Sequence, residues 1–161
     1  MKSRIAMMFS AALLCGSAGG ACAADIVRVP EASPMAPFVA LAAVPPGYTT
    51  YYISGSVASP KTPAANGKPA DWGDISYQTK SCLENLKATM AKAGIGLGDV
   101  VQAHVYLDPK ADFMAMNKVW LTEFGTKEQP NKPARAAFHV QALAGPGPLL
   151  EIEFIAAKKV K

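Results

Sequence analysis

The chain has 161 residues, of which half are hydrophobic, and its 16 basic and 12 acidic side chains give a formal net charge of +4. This length supports one domain with a genuine hydrophobic core. The sequence contains no run of Lys and Arg with interleaved aromatic residues, so its composition does not favour a nucleic-acid-binding protein.

The first 23 residues have the composition of a secretory signal peptide. Lys2 and Arg4 give a positive start, residues 5–14 form a short and mostly apolar run, and residues 21–23 read Ala-Cys-Ala. These small side chains suit the positions before a cleavage site. The apolar run is shorter than the roughly 20 residues that a membrane-spanning helix needs. We therefore expect cleavage before Ala24.

Cleavage there would leave a single domain, residues 24–161, that is periplasmic or secreted and not held in a membrane. A lipoprotein attached through Cys15 or Cys22 is the alternative. Without the leader, 14 basic and 12 acidic residues remain, so the net charge falls to +2. Cys82 would be the one cysteine left, which excludes an intramolecular disulfide.

Histidine and cysteine are too sparse to predict a metal centre. The chain has two histidines and three cysteines, with neither C-x-x-C nor H-x-x-x-H spacing, so we expect no metal site. His104 shares one face of a predicted strand with Gln102 and Tyr106. It is interpreted as a surface or interface residue.

The first half of the domain predicts strands and a long loop. A short strand is expected around residues 26–29, followed by an irregular, Pro-rich passage. Residues 48–57 are dense in Thr, Tyr and Ile, which favours a second strand. Residues 58–71 contain several Pro and Gly and few large apolar side chains, so they are predicted to be a surface loop.

Two helices and one strand are predicted next. Residues 74–93 carry apolar side chains at three- and four-residue intervals, with Asp74 as the N-cap and Gly94 as the stop. Residues 100–107 alternate as a strand does, and residues 112–124 form a second helical stripe that ends at Gly125. The first stripe comprises Ile75, Cys82, Leu83, Leu86 and Met90. We therefore expect the thiol of Cys82 to be buried.

The last two strands are predicted at residues 134–141 and 149–157, separated by a Gly-Pro-Gly-Pro loop. Strand side chains alternate between two faces, and in the first strand we expect Phe138 and Val140 to face the core. The second strand has one apolar face and a reverse face with two carboxylates. The apolar face comprises Leu150, Ile152, Phe154 and Ala156, and the reverse face comprises Glu151, Glu153 and Ile155.

Arg135 shares its strand face with Ala137 and His139 and allows two interpretations. An arginine on a strand is often solvated or paired with an acidic side chain. Alternatively, a guanidinium held rigidly at a pocket wall can bind a carboxylate through two parallel hydrogen bonds. A nearby glutamate could then orient or activate water. The two-strand pattern alone does not choose between them.

Several motifs in this order resemble the Rid family (reactive intermediate deaminases, also called the YjgF or L-PSP family). They are P-A-R at the start of the first of these strands and E-I-E-F-I-A in the second, with S-G-S-V at 54–57, Q-T-K-S-C-L-E-N-L-K at 78–87, A-G-I-G-L-G-D-V-V at 93–101 and D-F-M-A-M-N at 112–117. Together the motifs span roughly residues 35–158. Their ordered succession is far more specific than any one of them.

The order of the elements already predicts one α+β domain, with a sheet covered on one face by two helices. The resemblance further implies the chorismate-mutase-like fold of the YjgF/Rid proteins. It also implies a homotrimer with a barrel-like interior and three ligand pockets between subunits.

The resemblance implies hydrolysis of 2-imino or 2-enamino acids to 2-oxo acids with release of ammonia, without a cofactor. Arg135 matches the family's carboxylate-binding arginine, and Glu151 matches the glutamate that positions or activates water. Phe38 matches a pocket aromatic that is Tyr in many relatives. Ala137 occupies a position where the best-characterised deaminases have Cys, and its backbone could still contact substrate.

Two other functions are weighed against this one. The first is a non-catalytic trimer whose interface pockets hold small carboxylates. The second, the endoribonuclease activity attached to some relatives, gains little support because the mature chain has no basic stripe.

Overall fold

A six-stranded mixed sheet organises the chain in the computed structural model, which describes residues 24–160. The predicted signal peptide, residues 1–23, lies outside the described residues. The elements follow in the order β1 Val27–Pro30, β2 Val39–Ala43, β3 Tyr48–Ser56, α1 Ile75–Ala91, a 3-10 helix Leu97–Asp99, β4 Val100–Leu107, α2 Phe113–Trp120, β5 Ala134–His139 and β6 Leu150–Lys159.

The strands lie side by side in the order β1-β2-β5-β4-β6-β3. β5 runs parallel to both of its neighbours, β2 and β4, whereas the other neighbouring strands are antiparallel. The predicted α+β class and the mixed sheet are confirmed. β2 was not predicted, because its five residues, V-A-L-A-A, stand in a Pro-rich passage too short to show a clear alternation.

The core lies between one face of the sheet and the two helices. Alternate residues of β4 and β6 are buried against apolar side chains of α1 and α2, which confirms the predicted apolar face of β6. The opposite face carries half-buried polar and aromatic residues of the same strands. The sheet is therefore covered on one side only.

The helix boundaries follow from local side-chain chemistry. The Asp74 carboxylate accepts a hydrogen bond from the backbone N–H of Tyr77 at 2.8 Å, so the predicted N-cap is confirmed, and such a cap contributes about 1 kcal/mol. Gly94 follows α1 with a φ of +67°, a conformation that favours glycine.

The second helix is shorter than predicted, because it ends at Trp120 and not near residue 124. The backbone N–H of Thr122 donates to the carbonyl of Val119, and that of Glu123 donates to Trp120, so three-residue turns replace the α-helical pattern. Phe124 nevertheless remains buried and stacks on Trp120 with 4.4 Å between the ring centroids.

The prediction that Phe138 faces the core is wrong. Phe138 is 48% exposed on the uncovered face, where its ring meets Tyr106 edge to face at 5.3 Å. The register explains this, since β5 pairs Arg135 with Ala103 of β4, and Ala103 is fully buried under the helices. Arg135 and Ala137 therefore point to the helix-covered side.

Cys82 is fully buried on α1, as predicted, and its thiol donates to the carbonyl of Ser56 at 3.0 Å. Burial raises the pKa of Cys82 to about 12. Because the thiolate is the reactive form, we expect native mature protein to resist a disulfide reagent at about pH 8 and to react after denaturation. Rapid labelling of the native protein would contradict the described burial.

Across residues 24–160, no helix combines the length and the apolar composition that a membrane span requires.

Candidate functional site

Arg135 lies near the start of β5 and points toward α2. Its guanidinium carbon lies 4.7 Å from the ring centroid of Trp120 and 5.6 Å from that of Phe38. Aromatic faces attract a guanidinium both electrostatically and by stacking. The two rings therefore hold the head group in a defined position.

The guanidinium has fewer hydrogen bonds than donors. Nη2 of Arg135 donates to Oδ1 of Asn117 at 2.8 Å, whereas Nε and Nη1 are shielded from solvent and have no partner within residues 24–160. Burial lowers the pKa of Arg135 to about 10, so the side chain remains cationic at neutral pH. A buried donor without a partner is costly, so Arg135 has two donors with unmet hydrogen-bonding capacity in residues 24–160.

No carboxylate of the described chain forms an ion pair with Arg135. The interpretation of Arg135 as a partner in an intrachain salt bridge therefore finds no support in residues 24–160. A buried charge normally needs a counter-ion. Residues 24–160 therefore supply no counter-ion for Arg135.

Two residues that hold the site were not singled out from the sequence. Asn117 and Trp120 lie on successive turns of α2, and both are buried. The indole N–H of Trp120 also donates to the carbonyl of Pro37 at 2.8 Å, which fixes the segment that carries Phe38. A buried Asn within an apolar stripe was the available signal, but the stripe was interpreted as core alone.

The outer edge of β5 is open beyond Arg135. β2 meets β5 at one residue pair, Val39 with Ala134. Along a strand, N–H groups alternate between the two edges, and the N–H of Val140 donates toward β4. The N–H of Arg135 points to the other edge, where the parallel pairing of Val39 with Ala134 places it against β2. The N–H of Ala137 points to the same edge beyond that pair, where no strand lies. Ala137 packs its methyl group against the core and offers its backbone to this edge.

Glu151 lies on the opposite face of the sheet. The register pairs Glu151 with Tyr106 on the uncovered face, three residues along β4 from the buried Ala103 that pairs with Arg135. The carboxylate of Glu151 has no hydrogen-bond partner in the described chain. Within one chain, the structure does not bring Arg135 and Glu151 together.

A cavity of about 360 Å³ on the uncovered face has Glu151 in its wall, beside Tyr106, Glu153 and the residues that follow β5. Glu153 already has hydrogen-bond partners. Its Oε1 accepts a hydrogen bond from the hydroxyl of Tyr106 at 3.0 Å and lies 2.7 Å from Nδ1 of His104. The hydrogen bond to Glu153 raises the pKa of Tyr106. Of the two carboxylates on this face of β6, Glu151 is the one without a hydrogen-bond partner in residues 24–160.

The described residues contain no group of three or more His, Cys, Asp or Glu side chains placed to hold a metal ion. The chemistry available here is thus a buried guanidinium on one face, open backbone donors on one edge, and an unpaired carboxylate on the other face.

Comparison with known proteins gives a family. The family model described as "Endoribonuclease L-PSP" matches residues 30–158. A RutC family protein of Pyrococcus horikoshii is 45% identical over 87 residues, which are 54% of this chain and 65% of that relative. The match thus spans about two thirds of that relative's length. The protein named "Putative reactive intermediate deaminase TdcF" in Escherichia coli K12 is 33% identical over 107 residues, 66% of this chain and 78% of TdcF.

Solved structures of Rid and YjgF proteins have a similar fold. YyfB of Yersinia pestis, described as a protein of unknown function of the conserved Rid family, has a TM-score of 0.65 at 26% identity and covers 83% of this chain and 98% of its own. A member of the YjgF family from Neisseria meningitidis has a TM-score of 0.55 at 25% identity over 85% of this chain and 98% of its own. The chain therefore belongs to the Rid family, which is also known as the YjgF or L-PSP family.

Proposed function

We propose that this protein hydrolyses 2-imino and 2-enamino acids to 2-oxo acids with release of ammonia. The observation that carries the proposal is the Arg135 guanidinium, which is buried, cationic and left with two unpaired donors. Such a group fits the carboxylate of a small acid. The name of the relative TdcF supports the same reaction class.

Each residue of the proposed site has a separate role. Arg135 binds the substrate carboxylate, and the N–H of Ala137 donates to it from the open edge of β5. Phe38 packs its ring against the bound group. Because Nε and Nη1 of Arg135 are covered in this conformation, a carboxylate reaches them when a covering group such as the Phe38 ring moves.

The chemistry needs only water and proton transfers. An enamine first takes a proton at carbon and loses one from nitrogen, which gives an imine. Glu151 accepts a proton from water as the oxygen bonds to the imine carbon, and it returns that proton to nitrogen, which gives a carbinolamine. Glu151 then transfers the hydroxyl proton to nitrogen as the carbonyl forms and the carbon–nitrogen bond breaks. The products are the 2-oxo acid and ammonia. Holding both reactants in position supplies much of the rate.

We propose that each pocket is shared between two copies of the chain in a homotrimer. Arg135 and Glu151 lie on opposite faces of the sheet, so a pocket that contains both requires a second copy. The uncovered face also carries exposed apolar side chains that a partner would cover. They are Val27, Val29, Leu41 and Phe138. Export to the periplasm or beyond the cell belongs to the same proposal.

The test is hydrolysis of enzymatically generated imino acids by the purified mature protein, followed as ammonia release or loss of semicarbazone formation. We expect Glu151→Gln to lower kcat by roughly 10²–10⁴-fold, the usual contribution of an acid–base group, while a 2-oxo acid still binds. Glu153→Gln is the matched control on the same face of β6, and its activity should stay near wild type. An active Glu151→Gln variant would remove Glu151 from the chemistry.

A non-catalytic trimer that holds small carboxylates is the second candidate. The Arg135 site supports it, because carboxylate binding requires no contribution from Glu151, and Ala137 supplies no thiol. Binding of 2-oxo acids by the wild type without turnover of any imino acid would select this function.

A further inference from the structure

Gly55 lies where β3 is irregular. β3 pairs with β6 in regular antiparallel register up to Ile53 and resumes at Ser56, so Ser54 and Gly55 form a bulge. A bulge bends an edge strand and changes the direction of nearby side chains, and bulges are frequent beside active sites. This bulge lies beside the segment of β6 that contains Glu151.

The carboxylate of Glu151 occupies the space that a side chain on Gly55 would need. A Cβ added to Gly55 would lie 1.9 Å from Oε1 of Glu151 and 2.9 Å from its Cδ. Atoms do not approach so closely without a bond, so carboxylate and Cβ exclude each other. The absent side chain leaves a slot at the bulge, and the carboxylate fills it.

Space, and not backbone conformation, requires glycine at this position. The φ of Gly55 is not positive. Other glycines whose added Cβ would clash, namely Gly73, Gly125 and Gly147, all have positive φ and need glycine for the backbone as well. Alanine at position 55 would therefore suit the backbone and conflict only with the far end of a flexible side chain.

We propose that Gly55 is a positioning residue for Glu151, an inference that rests on the proposed hydrolysis. No hydrogen bond within residues 24–160 fixes the Glu151 carboxylate, so the shape of the bulge defines its position. The slot holds the carboxylate against β3, the strand at the edge of the sheet. Without the slot, the carboxylate would move freely above the uncovered face. A general base works only within hydrogen-bond reach of its water.

Gly55→Ala tests this role. We expect a roughly 10²-fold loss of kcat, because a displacement of about 1 Å at a reacting group has that effect, while the Kd of a 2-oxo acid and the assembly stay as in the wild type. Gly96→Ala is the matched control: an added Cβ meets open space there, and its φ is −141°. It should leave kcat unchanged.

A double variant separates positioning from a general structural effect. In a Glu151→Gln background, Gly55→Ala should cause no further loss, because the group that it displaces no longer acts. Losses that add in full would overturn the proposal, since Gly55 would then act through another group.

A readout that needs no turnover distinguishes this inference from the proposed function. The ¹³C resonance of the Glu151 Cδ, assigned by its absence in Glu151→Gln, should shift in Gly55→Ala and not in Gly96→Ala. If the wild type hydrolyses no imino acid but the resonance shifts, hydrolysis fails and the positioning of the carboxylate stands. If the wild type is active and Gly55→Ala changes neither the rate nor the resonance, the positioning role fails alone.

Discussion

Arg135→Ala is expected to lose most 2-oxo acid binding and most hydrolysis while the protein still assembles. The guanidinium is shielded by the rings of Trp120 and Phe38 and has two unpaired donors, so a carboxylate bound there forms charge-assisted hydrogen bonds away from water. Loss of one partner of such a pair costs roughly 2–5 kcal/mol, which is well over tenfold in affinity or rate. Titration calorimetry with a 2-oxo acid measures the binding loss directly.

Arg135→Lys should rescue this loss poorly. An ammonium group is a point charge, and it cannot reproduce the two parallel contacts of the planar guanidinium or its stacking on the aromatic rings. Arg28→Lys is the matched control, because Arg28 is also partly buried and has one unpaired donor, Nε, but its Nη2 already donates to the carbonyls of Gly98 and Val100. That control should bind the 2-oxo acid like the wild type.

Stability measurements give a second test of the same site. A buried cation without a counter-ion contributes little to folding, so Arg135→Ala should melt close to the wild type without ligand. Added 2-oxo acid should raise the melting temperature of the wild type by mass action and leave that of the variant unchanged. Binding and hydrolysis at wild-type levels in assembled Arg135→Ala would return Arg135 to a structural role.

The parts of the fold that were predictable are those that local patterns define. Apolar and polar residues alternate over residues 101–107, and the structure has β4 at Val100–Leu107. Asp74 caps α1 and Gly94 follows it with a positive φ, as the sequence indicates. In each case, the physical cause acts within a few residues along the chain.

The face of β5 could not be predicted because alternation identifies two faces without saying which one the helices cover. Phe138 is more hydrophobic than Arg135, yet the pairing of Arg135 with the buried Ala103 gives the arginine the covered side. The compensation for a buried arginine comes from Asn117 and Trp120, which belong to a helix earlier in the chain. The order of residues within β5 gives no information about these contacts with another element.

The sequence named candidate residues for the site but did not give their arrangement. The resemblance to the family named Arg135, Glu151, Phe38 and Ala137 as the candidates, and the structure gives Arg135 the neighbour Phe38. It separates Glu151 from both by the thickness of the sheet. Only the register of β4 with its two neighbours, which the sequence does not reveal, shows that separation.

This separation predicts complementation between two inactive variants. Arg135→Ala and Glu151→Gln should each be nearly inactive alone, whereas trimers that contain both should regain activity. A pocket that takes Arg135 from one copy and Glu151 from another is intact when the first copy is the Glu151→Gln chain and the second is the Arg135→Ala chain. With equal amounts and random mixing in a threefold ring, about a quarter of all pockets are intact.

The experiment co-expresses the two variants with different tags and purifies trimers that carry both. Native mass spectrometry verifies the mixed composition, and imino acid hydrolysis is then compared with that of each variant alone. Mixed assemblies in which activity does not rise above the single variants would mean that both groups serve the same chain's pocket, against their placement on opposite faces. A monomeric wild type at micromolar concentration would contradict the shared pocket more directly, because one copy of this sheet cannot present Arg135 and Glu151 to a single small ligand.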